Sequence, residues 1–248
     1  MLVPIVDLSE VTLPADEAHH IAQVLRMDVG DAVIIFDGRG AEWHARLASV
    51  DKRAVRAEIL QPRTPAPEPY THVTLAIGLL KGDAMDDVVR DGTALGVTEF
   101  LPMQTDHCVV PRKARGDEAM ARWERVAVAS AKQCGRATLP TFRPVTPYRE
   151  AIVTPAELHV ICVEPILADG ADWPMLEHPA APRSAVVLVG PEGGWSRAEV
   201  EHARGAGYQP WRLGDFTLRA ALAPSVALSQ LWARFSASGA DRPPRATS

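Results

Sequence analysis

The sequence is poor in cysteine, and its cysteines are not spaced as metal ligands or disulfide partners. Cys108, Cys134 and Cys162 are three in number and never form a C-x-x-C pair, so that neither a disulfide framework nor a zinc knuckle is suggested. The eight histidines show no H-E-x-x-H or similar spacing. We therefore expect no metal, and a reducing compartment suits the chain.

Long apolar runs are also missing. No segment approaches the roughly 20 consecutive apolar residues of a membrane-spanning helix. The first residues, MLVPIVDLSE, lack the basic start and apolar core of a secretory signal. We expect a cytoplasmic protein without a membrane partner. The 248 residues are 47% hydrophobic and 23% charged, which is typical of a globular protein with one large or two modest domains and argues against disorder.

The charge is unevenly distributed. The formal net charge is −5, yet eight Lys and Arg and only three acids fall between His107 and Arg143. The sign of the local charge matters more than the total charge of the protein when a surface binds phosphates. A nucleic-acid partner is therefore compatible with the negative total.

Short, closely spaced strands are predicted in the first quarter of the chain, which favours a small barrel. Trp43, Ala45 and Leu47 are predicted to share one side of their strand. The predicted elements are a helix at 16–25 and strands at 32–37, 42–50 and 54–60. Four prolines in residues 61–69 then predict an extended linker and a domain boundary.

Beyond the prolines, strands alternate with helices, which predicts an α/β domain with a mainly parallel sheet. Leu228, Leu231, Trp232 and Phe235 form an apolar stripe on the last helix. Strands are predicted at 73–80, 99–102, 158–163 and 185–189, and helices at 85–97, 118–135, 197–206 and 224–235. The chain from Ser236 on looks disordered.

The most informative segment runs from Ala185 to Glu199. An apolar strand ends at Gly190, and Gly193-Gly194 removes two side chains where the backbone must turn sharply or approach a ligand. Ser196 and Glu199 form a capping-box pattern that begins a helix. The segment is neither a P-loop nor a dinucleotide fingerprint. From these residues alone, a ligand-binding edge and a plain tight turn remain equally open.

The motif GPEGG at 190–194, followed by Leu213-Gly214 and Leu218-Arg219, resembles the cofactor end of the SPOUT methyltransferases. It most resembles the RsmE-like branch, which methylates N3 of a uridine in small-subunit (16S) ribosomal RNA. The likeness continues in His20-x4-Leu25-Arg26-x3-Gly30, Lys81-Gly82-Asp83, Leu95-Gly96-Val97 and Gln133-x2-Arg136-x3-Pro140.

This resemblance implies an α/β protein with an N-terminal PUA-like β-barrel and a C-terminal SPOUT α/β domain containing a deep trefoil knot. It also implies S-adenosylmethionine as cofactor, ribosomal RNA as partner and a homodimer. The expected domains are 1–68 for RNA binding, 69–238 for methyl transfer and a disordered tail at 239–248. The cofactor residues carried over by position are Glu164, Val189, Gly190, Pro191, Glu192, Gly193, Gly194, Leu213, Gly214 and Leu218. Glu164 could equally be an exposed loop acid.

Methylation at N3 requires a uridine that has lost its N3 proton, and a positioned cation stabilises that anion. Arg219 is the candidate for this catalytic role; the alternative is that it caps carbonyls or pairs with an acid. The candidate RNA-binding residues are Arg26, Lys81, Arg112, Lys113, Arg122, Arg125, Lys132 and Arg136. Arg122, Arg125, Lys132 and Arg136 are spaced to share one helix face, although a solvated face or structural ion pairs explain them as well.

Several positions depart from the pattern that the resemblance implies, namely Ala84, Asp91, Ala94, Ala129, Ala220, Ala221 and Leu222. The departures remove charged and hydroxyl groups near the predicted RNA cleft but spare the glycine motif. Three hypotheses follow: a 16S uridine-N3 methyltransferase, a related methyltransferase with another RNA target, and a catalytically weak RNA-binding or ribosome-assembly factor.

Overall fold

The computed structural model describes residues 9–51, 54–109, 116–168 and 180–236. The chain divides into two compact units. The first takes the chain up to Glu68 together with Val128–Leu139, and the second takes Pro69–Ala127 and the chain from Pro140 on. None of the described helices is long and apolar enough to cross a membrane.

The first unit contains a four-stranded antiparallel sheet in the order β1-β4-β3-β2. Its strands are β1 (Glu10–Thr12), β2 (Ala32–Phe36), β3 (Glu42–Val50) and β4 (Val55–Arg63). Helix α1 (Ala15–His19) continues into a π-helical turn, His20–Leu25, where the sequence predicted one regular helix. Ile35, Leu47 and Val55 lie at the centre of this unit's core.

Burial along β3 agrees with the predicted side: Ala45 and Leu47 are buried and Trp43 is partly buried, whereas His44 and Arg46 between them are exposed. One prediction about these strands was wrong in detail. Strand β4 runs through Pro62, inside the predicted linker. A proline is tolerated there because β1 pairs only with residues 56–58 of β4, so that Pro62 lies beyond that pairing.

The second unit contains a seven-stranded sheet whose pairings are all parallel, which confirms the predicted parallel sheet. The order is β11-β9-β10-β5-β6-β7, with β8 also paired to β6. The strands are β5 (His72–Gly78), β6 (Glu99–Gln104), β7 (Thr141–Phe142), β8 (Thr146–Pro147), β9 (Leu158–Cys162), β10 (Ser184–Val189) and β11 (Gln209–Trp211). The helices are α2 (Ala84–Ala94), α3 (Asp117–Cys134), α4 (Tyr148–Ala151), α5 (Arg197–Gly205) and α6 (Ala223–Ser236), and the part of α3 from Val128 on belongs to the first unit.

Alternation along the strands gives this sheet two buried faces. Val73, Leu75 and Ile77 of β5 belong to a core that includes residues of α2 and α6, whereas Ala76 belongs to a core with α4 and α5. The apolar stripe on α6 lies in the first of these cores, where Leu228 and Leu231 are fully buried. The stripe is therefore core and does not form an exposed surface.

Candidate functional site

The central strands of the second unit end side by side. Strands β9, β10 and β5 are neighbours in that order and pair in parallel, so that their carboxyl ends meet at one edge of the sheet. Beyond these ends come Glu164 after β9, Gly190 after β10 and Asp83 after β5. In open α/β sheets, ligands bind at such an edge.

A cavity of about 620 Å³ opens at this edge. Its volume is typical of small-molecule sites, which span roughly 300 to 1,000 Å³. Two of its walls carry most of the predicted residues: the glycine turn, defined as residues 190–194, and the arginine loop, defined as residues 212–222. The predicted residues in the lining are Glu164, Val189, Gly190, Pro191, Glu192, Leu213, Gly214, Leu218 and Arg219.

Backbone and side-chain hydrogen bonds hold the glycine turn in place. The Lys81 backbone N–H donates to Glu192 Oε1 at 2.8 Å, and the Gly194 N–H donates to the Pro191 carbonyl at 2.9 Å. Just beyond the turn, the buried Trp195 indole N–H donates to the Cys162 carbonyl at 2.8 Å. The turn is thus fastened to the residues that follow β5 and to the end of β9.

The predicted capping box after the turn is confirmed. Ser196 Oγ accepts from the Glu199 N–H at 3.2 Å, and Glu199 Oε2 accepts from the Ser196 N–H at 2.9 Å. Glu199 is buried and also accepts from the Asp106 N–H. Helix α5 therefore begins at a fixed point and sets where the glycine turn ends.

Gly193 and Gly194 do not line the cavity, and they bring neighbouring groups close to the turn instead. A Cβ on Gly193 would lie 2.8 Å from Cβ of His107, and one on Gly194 would lie 2.6 Å from Glu164 Oε1. Gly194 also has a φ of +67°, which favours glycine. Absence of these two side chains lets Glu164 and His107 approach the turn.

Glu164 is the partly buried acid of the cavity wall. Its Oε2 atom is buried and has no hydrogen-bond partner among the described residues. Burial raises the pKa of its carboxyl, and a backbone hydrogen bond and the charge of His107 act in the opposite direction. An acid with an unsatisfied oxygen in a cavity wall is suited to a cationic or hydrogen-bond-donating ligand. The alternative, an exposed loop acid, does not describe it.

Arg219 lies in the arginine loop just before α6. Its backbone carbonyl accepts from the N–H groups of Leu222 and Ala223, while its side chain is exposed in the cavity lining. Within the part of the chain that the structure describes, no carboxylate lies within ion-pair distance of its guanidinium. Its charge therefore remains available to a ligand.

Three of the cations predicted to bind RNA have carboxylate partners. Arg122 pairs with Asp83 and Asp86, both at 2.6 Å, and these partners raise the pKa of its guanidinium. Lys132 pairs with Glu17. Arg136 lies beyond the end of α3, is only 8% exposed and pairs with Glu68 at 2.8 Å. These contacts favour the structural alternative that the sequence left open.

The remaining predicted cations divide into two groups. Arg26, Lys81 and Arg125 are exposed. Arg112 and Lys113 lie outside the described residues. The four cations spaced to share a helix face do not form a continuous basic strip, because Arg136 is buried.

The cavity wall also contains residues that the sequence analysis missed. Asp83 and Asp87 come from the start of α2, one turn apart, and Phe216 and Thr217 lie in the arginine loop between the two recognised dipeptides. Their position between Gly214 and Leu218 was the available signal for Phe216 and Thr217. Three of the positions that depart from the expected pattern, Ala84, Ala220 and Ala221, also line the cavity.

The lining fits S-adenosylmethionine in size and in chemistry. Val189, Leu213 and Leu218 supply apolar surface, and the main chain of the glycine turn approaches the cavity without bulky side chains. The unsatisfied oxygen of Glu164 suits the positively charged groups of this cofactor.

Two family models match the chain. An RNA methyltransferase PUA domain matches residues 13–60, and an RNA methyltransferase domain matches residues 66–232. The N-terminal domain is thus PUA-like, and the parallel-sheet domain is a methyltransferase domain. These matches agree with the resemblance seen in the glycine motif.

Curated relatives show the same likeness. The ribosomal RNA small subunit methyltransferase E of Synechocystis is 35% identical over 228 residues, which cover 89% of this chain and 72% of that protein. The protein of the same name from Bacillus subtilis is 29% identical, with 89% and 88% covered.

Solved structures are similar too. A ribosomal RNA small subunit methyltransferase E from Neisseria gonorrhoeae, bound to S-adenosyl methionine, has a TM-score of 0.83 at 31% identity, with 95% of this chain and 96% of that chain covered. A methyltransferase from Legionella pneumophila in complex with the same cofactor has a TM-score of 0.84 at 28% identity, with 91% and 92% covered.

Proposed function

Because the chain belongs to the ribosomal RNA small subunit methyltransferase E family, we propose that it transfers the methyl group of S-adenosylmethionine to N3 of a uridine in small-subunit ribosomal RNA. One observation carries this proposal: Arg219, which has no acidic partner among the described residues, lines the same cavity as the glycine turn. A cofactor cradle and a cation for the acceptor nucleotide therefore share one site.

The cofactor is proposed to lie against residues 189–192, Leu213, Gly214 and Leu218, where the contacts are mostly main chain and small apolar groups. When bound, it supplies an electrophilic methyl group on a sulfonium. Glu164 is proposed to face one of its positive charges. Gly193 and Gly194 contribute indirectly, since their lack of side chains lets His107 and Glu164 lie against the turn.

Arg219 is proposed to act on the uridine. As the N3 proton leaves, the uracil ring becomes an anion, and the exposed guanidinium stabilises that charge. Holding the nucleotide beside the cofactor supplies further acceleration, because two bound reactants need not meet by diffusion. Arg219 thus serves the acceptor, whereas the glycine turn serves the donor.

Methyl transfer from deuterium-labelled S-adenosylmethionine tests the proposal. The substrate is small-subunit ribosomal RNA, free and in ribosomal subunits, from a strain that lacks the enzyme. Mass spectrometry of the nucleosides should find the label in 3-methyluridine. Label in another nucleoside, or only in another RNA, would replace the proposed target. Absence of label with RNA binding intact would instead favour a binding or assembly factor.

The first unit is proposed to hold the RNA. Its four-stranded sheet corresponds to the PUA-like match, and we propose that the strands belong to a closed barrel. The exposed Arg26 of this unit is a proposed phosphate contact. In the second unit the proposed phosphate contacts are the exposed Lys81 and Arg125, together with Arg112 and Lys113 outside the described residues. The family resemblance further supports domains at 1–68 and 69–238 and a trefoil knot in the second. A ribosomal RNA substrate also suits the expected cytoplasmic location.

A homodimer is proposed on the same resemblance. The apolar stripe of α6 does not supply its interface, since Leu228, Leu231 and Phe235 are buried in the core. Sedimentation equilibrium at micromolar concentration should give about twice the 26.8 kDa chain mass. A single 26.8 kDa species would contradict the dimer.

A further inference from the structure

Phe216 is the most exposed of the large hydrophobic residues that the structure describes. Its exposed fraction is 84%, compared with 66% for Tyr70. It is also the only aromatic residue among the described residues that line the cavity. Within the described part of the chain no other aromatic ring packs against it, so its face is open to a ligand of the cavity.

The arginine loop presents this ring next to the proposed acceptor site. Phe216 precedes Arg219 by three residues, and both line the cavity. Before it, the Arg212 guanidinium lies 3.6 Å from the Asp215 carboxylate, and the Gln230 side-chain amide donates to the Leu213 carbonyl at 2.9 Å. The Gln230 hydrogen bond thus connects the start of the loop to α6, and Phe216 follows this hydrogen-bonded segment of main chain.

We infer that Phe216 is a stacking platform for an unpaired base of the RNA, either the target uracil or its neighbour. This inference rests on the proposed function. N3 of uridine lies on the edge that pairs with adenine, so the target must be unpaired when its methyl group arrives. Proteins hold unpaired bases by stacking them on aromatic side chains.

The placement of the ring favours RNA over the other partners. The proposed cofactor contacts are provided by the glycine turn, by Glu164 and by the leucines of the arginine loop. Those leucines are partly buried, whereas Phe216 and Arg219, the residue proposed to face the nucleotide, are both exposed. A base stacked on Phe216 would therefore lie near the cation that stabilises the uracil anion.

Phe216→Ala, Phe216→Trp and the control Tyr70→Ala test this role. Tyr70 is also an exposed aromatic of the second unit but does not line the cavity. Loss of one base stack should raise KM for small-subunit ribosomal RNA about tenfold or more in Phe216→Ala. The Trp variant should retain wild-type KM, and Tyr70→Ala should leave it unchanged. Calorimetry should give the same Kd for S-adenosylmethionine in all four proteins.

Photocrosslinking tests the contact without requiring catalysis. Protein saturated with S-adenosylhomocysteine is irradiated with a small-subunit ribosomal RNA transcript containing 5-bromouridine in place of uridine. The crosslinked peptide should contain Phe216, and the crosslink should disappear in Phe216→Ala. If this crosslink forms but the wild type transfers no methyl group, the stacking inference stands and the proposed function fails.

Three results would overturn the inference. An unchanged KM together with no crosslink at Phe216 would exclude an RNA contact. A weaker Kd for S-adenosylmethionine in Phe216→Ala, with KM for RNA unchanged, would assign the ring to the cofactor. A change in sedimentation from dimer to monomer, again with KM for RNA unchanged at dimer-forming concentrations, would assign it to a second copy of the chain.

Discussion

The glycine turn and the arginine loop face the same cavity but are built differently. The turn follows a buried strand, precedes a capped helix and is fixed by hydrogen bonds to Lys81 and through Trp195 to Cys162. In the loop, Phe216 and Arg219 project exposed side chains that have no ring or acidic partner among the described residues. In the proposed reaction, the hydrogen-bonded main chain of the turn and the leucines of the loop bind the donor, while the exposed side chains of the loop receive the acceptor.

The largest effect is expected from the arginine loop. Arg219→Ala should lower kcat for methyl transfer about 100- to 1,000-fold, the range seen when a charge-stabilising donor is removed. The Kd for S-adenosylmethionine should stay near the wild-type value, because the proposed cofactor contacts on both walls do not include the Arg219 guanidinium. Single-turnover kinetics and calorimetry measure the two quantities.

Arg219→Lys is the matched variant, because it keeps the charge but loses the planar fork, and it should recover part of the rate. Equal losses of rate and cofactor affinity in Arg219→Ala would contradict the proposal that Arg219 acts on the acceptor nucleotide and not on the cofactor.

A substitution in the glycine turn should instead weaken cofactor affinity and stability. Gly194→Ala places a Cβ at 2.6 Å from Glu164 Oε1 on a backbone with φ of +67°. We expect the backbone strain to lower the free energy of unfolding by about 1 to 2 kcal/mol. Displacement of Glu164 should in addition weaken the Kd for S-adenosylmethionine.

Gly207→Ala is the control for backbone strain. Gly207 has a φ of +92°, and a Cβ there would meet nothing within 4 Å. It should lose similar stability in denaturant unfolding and keep wild-type cofactor affinity. A loss of affinity as large as that of Gly194→Ala would show that strain alone, without Glu164, explains the effect.

The smallest effect is a pH dependence of stability at Glu164. Burial raises the pKa of this carboxyl, so the folded protein holds the proton more tightly than the unfolded chain. As pH rises from the unfolded pKa through the folded one, the wild type therefore loses stability. Glu164→Gln cannot ionise and lacks this loss. Its free energy of unfolding relative to wild type should therefore be more favourable at about pH 8 than at about pH 5.

Denaturant unfolding across this pH range measures the difference, with Glu150→Gln as a control for removal of an exposed charge on α4. A relative stability of Glu164→Gln that is constant with pH, or that grows as pH falls, would contradict the buried, unsatisfied carboxylate.

The sequence predicted the glycine-turn wall better than the arginine-loop wall, for physical reasons. An apolar run ending in glycine before a Ser-x-x-Glu box specifies strand, turn and helix locally, and β10 and α5 lie within one residue of the predicted bounds. Strand β11, with three residues, carries too little pattern to be found. Without β11, the apolar pattern does not bring Phe216 to the cavity that Glu164 lines, and its position between Gly214 and Leu218 is the only signal for it.

Tertiary contacts account for the other differences. Arg122 and Arg136 have the spacing of a basic face, but whether each pairs with Asp83, Asp86 or Glu68 depends on segments distant in sequence. Strand β4 extends through Pro62 because this residue pairs with Trp43 of β3, a contact that the proline spacing does not reveal. Local patterns therefore predicted the helices and strands, but they could not predict which side chains pair with residues distant in sequence.

A calorimetric titration of S-adenosylmethionine into the folded protein tests the central claim most directly, because the proposed roles of both walls depend on this cofactor binding in the cavity. We predict saturable binding of one cofactor per chain, with the same Kd in Arg219→Ala and a weaker Kd in Gly194→Ala. Absence of binding to well-folded wild-type protein would contradict the assignment of the cavity and, with it, the proposed reaction.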